Sequence, residues 1–170
     1  PDDAYVISNL EGDKIEIQLY DLKKNKKIKT VFSNDTYDVS GMALSKKRNY
    51  EIDYFSYTGE KTQVIPVSDT YKKIYDRLEQ EFGEKQFFTV GRTDDESKYM
   101  IAVTSDKIVG EYYLYDVEAD EVSLLYKLLP HLKEEDMASM KPITFKSRDG
   151  LALHGYITLP HNYKEGMQVP

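Results

Sequence analysis

The sequence predicts a mainly β fold: an incomplete β-propeller of about two to three antiparallel blades, with one amphipathic helix and a C-terminal β-hairpin. Three features lead to this prediction: a strand–turn–strand pattern that recurs along the chain, one stretch with helical spacing, and two apolar runs around an Asp-Gly pair. Repeats of roughly 40–50 residues, each forming a small antiparallel sheet, are typical of propeller blades.

The repeat is marked by a short turn of a small residue, an acid and a lysine. Its copies are Gly12-Asp13-Lys14, Gly59-Glu60-Lys61 and Ser105-Asp106-Lys107, spaced by 47 and 46 residues. A strand-like run precedes each copy, and a second run follows it and closes on an aspartate. The closing residues are Asp21, Asp69 and Asp116, spaced by 48 and 47 residues.

The runs rich in Tyr, Ile and Val predict the strands, because such residues suit a pleated, half-buried surface. In chain order these predicted strands cover residues 5–8, 15–21, 28–32, 39–44, 52–57, 64–69, 87–91, 99–104, 112–116 and 122–126. The polar stretches at 23–27 and 118–121 are predicted to be hairpin tips between outer strands.

The middle repeat contains a predicted helix from Asp69 to Phe82. Its apolar residues follow the i, i+3, i+4, i+7 spacing of one helix face. They are Tyr71, Ile74, Tyr75, Leu78 and Phe82. Ser68 or Asp69 is expected to cap the helix start, and Gly83 to end it. This apolar face of the helix is expected to pack against the blade rather than to bind a ligand.

Composition and charge exclude several classes of function. The 170 residues are 40% hydrophobic and 31% charged, with a net charge of −7, which argues against a nucleic-acid partner. The most basic run, at 23–29, is interpreted as a solvated turn. No apolar run approaches the ~18 residues of a membrane span, so no membrane partner is predicted. The absence of cysteine excludes disulfides and thiolate metal sites.

Motifs for catalysis, cofactors or metals are absent from the sequence, so no catalytic, cofactor-binding or metal-binding residue is predicted. No two of the nine glycines are four apart, which excludes the Gly-x-Ser-x-Gly elbow of α/β-hydrolases. The acidic triplet at 94–96 lacks the ligand spacing of a calcium loop and is interpreted as a polar turn. His154 is interpreted as a strand-facing polar residue rather than a general base.

The last part of the chain is predicted to be a linker followed by a hairpin. Pro130 and the acids after it predict a short helical turn within a linker at 130–140. Apolar runs then flank Asp149-Gly150, and an Asp-Gly pair suits the positive φ angles of a type I′ turn. The predicted organisation is therefore blades at 1–129, a linker at 130–140 and a hairpin region at 141–170.

The order of motifs from about residue 86 to 160 resembles the prolyl oligopeptidase family of serine peptidases, at the passage from the β-propeller into the α/β-hydrolase domain. The motifs are Val90-Gly91-Arg92-Thr93-Asp94-Asp95, Tyr112-Tyr113-Leu114-Tyr115-Asp116, Pro130-His131-Leu132, Met140-Lys141-Pro142 and Arg148-Asp149-Gly150. The members that it most resembles are similar to acylaminoacyl-peptidase or dipeptidyl-peptidase.

This resemblance implies a division of labour between two domains. The propeller would gate the access of short peptides to a hydrolase domain lying beyond residue 170, and residues 141–170 would be the first hairpin of that domain. The implied partners are the missing hydrolase domain and peptide substrates. Because the triad of the family would also lie beyond residue 170, the chain alone is expected to be inactive. The alternative is a free-standing propeller-type binding module with no peptidase function.

Fewer than three blades cannot close a propeller ring, so some strand edges are expected to carry unpaired backbone N–H and C=O groups. Such edges recruit another chain by strand addition. The sequence therefore predicts an edge-strand homodimer or a weaker self-association. Compartment, substrate preference, and endo- or exopeptidase action leave no signal in the sequence.

Overall fold

A computed structural model describes residues 2–168, which form twelve β-strands, one α-helix and one short 3-10 helix. The strands are β1 (Asp3–Ser8), β2 (Glu16–Asp21), β3 (Lys26–Phe32), β4 (Val39–Ser45), β5 (Glu51–Thr58), β6 (Thr62–Pro66), β7 (Gln86–Arg92), β8 (Lys98–Thr104), β9 (Glu111–Asp116), β10 (Glu121–Lys127), β11 (Met140–Lys146) and β12 (Ala152–Thr158). The helices are α1 (Asp69–Phe82) and the 3-10 turn Glu134–Asp136. The predicted mainly β, partial propeller-like fold is confirmed.

The chain divides into two units, residues 1–81 and 82–170. The first contains two antiparallel three-stranded sheets, ordered β1-β2-β3 and β4-β5-β6. Ile17, Val39 and Phe55 form its buried apolar cluster. Phe32 from one sheet stacks on Phe55 from the other, with ring centroids 4.5 Å apart. The two sheets therefore share one core.

The second unit is built on an antiparallel four-stranded sheet ordered β10-β9-β8-β7. Its central strand β8 supplies Tyr99, Ile101 and Val103, whose exposure is 1% or less. Phe82 lies beside this sheet, with its ring 4.9 Å from that of Tyr113. The 3-10 turn follows β10, and β11 and β12 then pair as a separate hairpin. In residues 2–168 no helix is long and apolar enough to cross a membrane.

Two of the three repeated aspartates, Asp21 and Asp116, begin equivalent hairpin turns, whereas Asp69 is the first residue of α1. Asp21 accepts a hydrogen bond from the backbone N–H of Lys24 at 2.8 Å. Asp116, 95 positions later, accepts one from the N–H of Ala119 at 3.1 Å. A side chain that bonds the backbone three residues ahead stabilises a tight turn.

The same two hairpins share a second feature, a residue with a positive φ that accepts a hydrogen bond from a tyrosine. Asn25 and Asp120, also 95 positions apart, both adopt a φ of 50°, a left-handed conformation that these two residue types tolerate. Their side-chain oxygens accept hydrogen bonds from the hydroxyls of Tyr20 and Tyr115, at 3.1 and 3.2 Å. The sequence repeat is therefore a structural repeat of hairpin β2–β3 in hairpin β9–β10.

The predicted helix is confirmed at its predicted limits, Asp69–Phe82. Ser68 caps it by accepting the N–H of Tyr71 at 3.1 Å, and Gly83 follows it with a φ of 59°. The apolar stripe is buried: exposure is 3% at Tyr71, 4% at Ile74, 0% at Leu78 and 8% at Phe82. The ring of Tyr71 lies 4.8 Å from that of Tyr54 on β5.

Two details of the sequence prediction are wrong. The strand expected to reach Asp69 ends at Pro66, because Ser68 already caps the helix. The hairpin turn is also not type I′, since Gly150 alone of its residues has a positive φ, 88°. The N–H of Gly150 donates to the carbonyl of Ser147 at 3.0 Å. This makes a three-residue loop, a type I turn followed by glycine.

Candidate functional site

The second unit contains a cleft of about 270 Å³ at one end of its four-stranded sheet. The loop before β9, the end of β10 and the chain around the 3-10 turn form its walls. The lining residues are Lys107, Ile108, Val109, Gly110, Glu111, Lys127, Leu129, Pro130, Leu132, Lys133, Glu134 and Glu135. The predicted linker thus begins as one wall of this cleft.

Glu111 is the most buried charged residue of the cleft, with 8% of its surface exposed. Lys127, directly opposite on β10, forms an ion pair with Oε1 at 2.5 Å. The hydroxyl of Tyr113 donates to Oε2 at 2.6 Å. Burial acts to raise the pKa of Glu111, but the bonds from Lys127 and Tyr113 outweigh it, so the pKa lies below its usual value.

Replacing Lys127 with methionine is expected to raise the pKa of Glu111. The change removes the ion pair and its hydrogen bond while the burial of the carboxylate remains. Because the native pKa is depressed, the stability that Glu111 contributes is present above its unfolded pKa of about 4.3 and is lost as pH falls through the folded value. NMR titration of the Glu111 carboxyl carbon measures the shift directly.

A suitable control is Lys133→Met, which removes another lysine of the cleft, one that pairs with Glu135 at 3.7 Å instead. It should leave the Glu111 titration unchanged. An unchanged Glu111 pKa in Lys127→Met would mean that the cross-strand pair does not set the ionisation of this carboxylate.

The ionisable side chains that line the cleft are carboxylates and lysines. The described residues that line it include no Ser, Thr, Cys or His. Both oxygens of Glu111 already hold a donor. The sequence analysis did not predict the network of Glu111, Lys127 and Tyr113. The signal present in the sequence was an acid at the start of an apolar strand. The partner could not be identified because it depends on the register of β9 and β10.

The structure places the three histidines at exposed positions on the described chain. His154 lies on β12 opposite Thr144 of β11. Its Nδ1 is 3.3 Å from the hydroxyl oxygen of Thr144. This is a cross-strand polar contact on the hairpin surface.

The acidic triplet at 94–96 forms a turn in which the carboxylates of Asp95 and Glu96 are engaged. Asp95 accepts hydrogen bonds from the hydroxyls of Thr93 and Ser97, at 2.5 and 2.8 Å. Glu96 has a φ of 55° and pairs with Arg92 at 3.4 Å. Residues 2–168 contain no group of three or more His, Asp or Glu side chains that could hold a metal ion.

Acidic neighbours surround the basic run at 23–29. Lys27 pairs with Glu11 and Glu16, each at 2.7 Å. The hydrogen bonds that Lys27 donates to Glu11 and then to Glu16 raise the pKa of Lys27. Lys23 pairs with Asp2 at 2.7 Å. Nearby carboxylates therefore balance part of the positive charge of this run, of which residues 26–29 belong to β3.

Comparison with known proteins gives similarity of fold alone. No protein-family model and no curated protein sequence matches the chain. Among solved structures, a prolyl endopeptidase is similar with a TM-score of 0.62 at 14% identity, over 96% of this chain and 24% of that one. Prolyl oligopeptidase B from Galerina marginata, bound to a 35-residue hydrolysis and macrocyclization substrate, matches with TM-scores of 0.60 and 0.62 at 13% and 14% identity, over 96% of this chain and 23% of that one. The chain thus spans about a quarter of the length of these structures.

Proposed function

We propose that the chain is the non-catalytic propeller segment of a serine peptidase of the prolyl oligopeptidase type. In this proposal the segment gates the access of short peptides to a hydrolase domain that lies beyond residue 170. The observation that carries the proposal is the likeness in fold to prolyl oligopeptidases over 96% of the chain. The fold alone does not assign a function, so the argument also needs the hairpin that follows the sheet.

Hairpin β11–β12 supports the proposal because it cannot bury its own apolar side chains. Ile143, Phe145 and Ile157 lie on one face of the hairpin, according to the register of its strands. Their exposures are 40%, 51% and 38%. A two-stranded hairpin is marginally stable in water and needs a further layer to cover an apolar face. A hydrolase domain that continues from β12 would supply that layer.

The finer assignment rests on the motifs between residues 86 and 160. Their order favours an acylaminoacyl-peptidase-like or dipeptidyl-peptidase-like member, with the propeller ending near residue 129 and the hydrolase domain beginning near 141. Gating of this kind is steric, since it requires a narrow passage rather than a reactive group. The Glu111 cleft is compatible with such a role. The carboxylate of Glu111 is already bonded by Tyr113 and Lys127, and no Ser, Thr, Cys or His is among the described lining residues.

The chain of residues 1–170 is expected to show no hydrolase activity. It carries no Gly-x-Ser-x-Gly elbow, so no serine is held in the strained turn that exposes a nucleophile. Aminoacyl- and dipeptidyl-type chromogenic esters and amides measure turnover, and a fluorophosphonate probe measures stoichiometric labelling. Turnover or labelling of the purified chain would contradict the assignment of catalysis to another domain.

Sequencing the coding region past residue 170 tests the proposal itself. The expected sequence contains a Gly-x-Ser-x-Gly elbow downstream. The longer chain is expected to be labelled by the fluorophosphonate probe. A stop codon would favour the free-standing binding module. In the longer chain, gating predicts cleavage of a short peptide but not of the same peptide sequence placed within a folded protein.

A further inference from the structure

The turn of hairpin β11–β12 contains Asp149-Gly150, the only Asp-Gly pair of a sequence that has no Asn-Gly pair. An aspartate followed by glycine can isomerise spontaneously, because the backbone nitrogen of the glycine can attack the carboxyl group of the side chain before it. Both residues are exposed. Apart from Gly150 and its chain neighbours, no atom of residues 2–168 lies within 4 Å of the position that a Cβ of Gly150 would occupy. The pair therefore stands at an open position of the turn.

The reaction has two steps and needs only water. In the first, the nitrogen of Gly150 bonds to Cγ of Asp149, and the carboxyl OH leaves with the amide hydrogen as water, which closes a succinimide ring. In the second, water opens the ring. Opening at Cγ restores aspartate, whereas opening at the backbone carbonyl gives isoaspartate. The first step requires a protonated carboxyl group and a backbone nitrogen that is free to lose its hydrogen.

The closed turn engages the nitrogen that would attack. The N–H of Gly150 donates to the carbonyl of Ser147 at 3.0 Å, and the N–H of Ser147 donates to the carbonyl of Leu151 at 2.9 Å. The N–H of Leu151 also donates to the hydroxyl oxygen of Ser147 at 3.0 Å. A bonded N–H retains its hydrogen and fixes the orientation of its nitrogen, so attack requires the turn to open.

The same turn keeps the carboxyl group of Asp149 in its ionised form. The hydroxyl of Ser147 donates to Oδ1 of Asp149. This bond, followed by bonds from the backbone N–H groups of Leu151 and Asp149, holds the pKa of Asp149 below its usual value. At neutral pH the protonated form that reacts is therefore rarer than in an unconstrained aspartate.

We propose that Asp149 is a site of spontaneous conversion to isoaspartate and that Ser147 suppresses this conversion while the turn is closed. Ser147 acts through two groups. Its carbonyl holds the nitrogen of Gly150, and its hydroxyl holds the carboxylate of Asp149. Ser147 is a positioning residue, since it reacts with neither group. This inference does not depend on the proposed function.

Conversion is expected to disrupt the end of the hairpin. The main chain of isoaspartate runs through the side-chain carbons and is longer than that of aspartate. The turn closes on the pair Lys146–Ala152, the last pair in the register of β11 and β12. A longer loop displaces the bond between Gly150 and Ser147 from its present geometry. The converted chain should therefore lose amide protection at these two residues.

Ageing of the 170-residue chain at neutral pH tests the site. Peptide mapping detects isoaspartate as a product of unchanged mass with a shifted retention time, and electron-transfer fragmentation places it at residue 149. Conversion should be about tenfold or more slower in the folded chain than in the same chain in urea, since two hydrogen bonds oppose the reaction. Equal rates would overturn the protective role, and no conversion in urea would overturn the site.

Substitution of Ser147 tests its hydroxyl. Ser147→Ala keeps the carbonyl and should accelerate conversion about fivefold or more, the effect on a rate of one lost hydrogen bond. Ser147→Thr restores the hydroxyl and should convert at the native rate. The matched control is Ser123→Ala on β10, which removes a hydroxyl that donates to the acid two residues before it, Glu121, at 3.4 Å. An unchanged rate in Ser147→Ala, or acceleration in Ser147→Thr or Ser123→Ala, would refute the proposal.

A pH profile distinguishes the hold on the carboxylate from a looser turn. In Ser147→Ala the pKa of Asp149 should lie closer to its usual value, as NMR titration of the carboxyl carbon measures. The decline of the conversion rate with rising pH should therefore begin at a higher pH than in the native chain. Hydrogen exchange at the Gly150 amide measures turn opening in the same samples. Acceleration that follows Gly150 exchange alone, with no displaced pH profile, would contradict the role of the hydroxyl.

Discussion

Replacing Asp53 with alanine is expected to lower the free energy of unfolding by about 3–5 kcal/mol, the cost of removing one partner from a buried ion pair. Asp53 lies on β5 with 0% exposure and pairs with Arg48. Its Oδ1 also accepts the hydroxyl hydrogen of Ser68 at 2.8 Å. The substitution therefore removes the anion that faces a partly buried guanidinium and the anchor of the helix cap. Chemical denaturation measures the loss.

A control is available on the same arginine. Glu51 also pairs with Arg48, at 2.6 Å, but its side chain is 47% exposed. Exposed ion pairs contribute about 0–1 kcal/mol, so Glu51→Ala should be nearly neutral. Equal losses in the two variants would mean that burial does not determine the effect of the pair. Asp53→Asn, which keeps an acceptor for Ser68, should fall between them.

The Asp53 network also illustrates what the sequence could not supply. Asp53 stands within an apolar strand pattern, and an acid in such a place is a signal because unpaired charges are rarely buried. The identity of its partners depends on tertiary structure. The turn between β4 and β5 brings Arg48 to Asp53, and the start of α1 beside β5 brings Ser68 to it. The backbone N–H of Val67 donates to the carbonyl of Asp53 at 2.7 Å. This contact arises from the chain path rather than from local sequence.

The strands and the helix, by contrast, were predictable from local patterns. Runs of Tyr, Ile and Val between polar turns mark the strands because such residues suit a pleated, half-buried surface. The helix was predictable to its limits because a hydroxyl cap, an apolar stripe and a terminal glycine agree on one conformation. The type I′ turn was a wrong prediction because Asp-Gly suits two loop lengths. Ser147 decides between them by donating to Asp149 and by accepting the N–H of Gly150 at its carbonyl.

For the Glu111 cleft, the local signal was limited to an acid at the start of an apolar strand. Its ion pair joins β9 to β10 across a hairpin, and its wall includes the chain that was predicted to be a linker. A cleft is a product of tertiary structure, so residue types alone do not reveal it. The propeller repeat could be found because its first and third copies have the same local requirement, an Asp that starts a turn.

Truncating Leu78 to alanine should cost about 2–5 kcal/mol, the range for removing a large aliphatic side chain from a packed core. Leu78 is fully buried in the middle of α1, with 0% exposure. The change keeps helix propensity high, so the loss arises from the cavity and from lost apolar contacts rather than from the backbone. The expected loss is a large share of the ~5–15 kcal/mol free energy of unfolding that is typical of a domain.

The control for Leu78→Ala is Gln80→Ala on the same helix. Gln80 is exposed, so its truncation should change stability by less than about 0.5 kcal/mol. Denaturant midpoints and slopes for both variants separate a change in stability from a change in the unfolded state. If Leu78→Ala also cost less than about 0.5 kcal/mol, the apolar stripe of α1 would face solvent or a partner. The helix would then have to be assigned a binding role instead of a packing role.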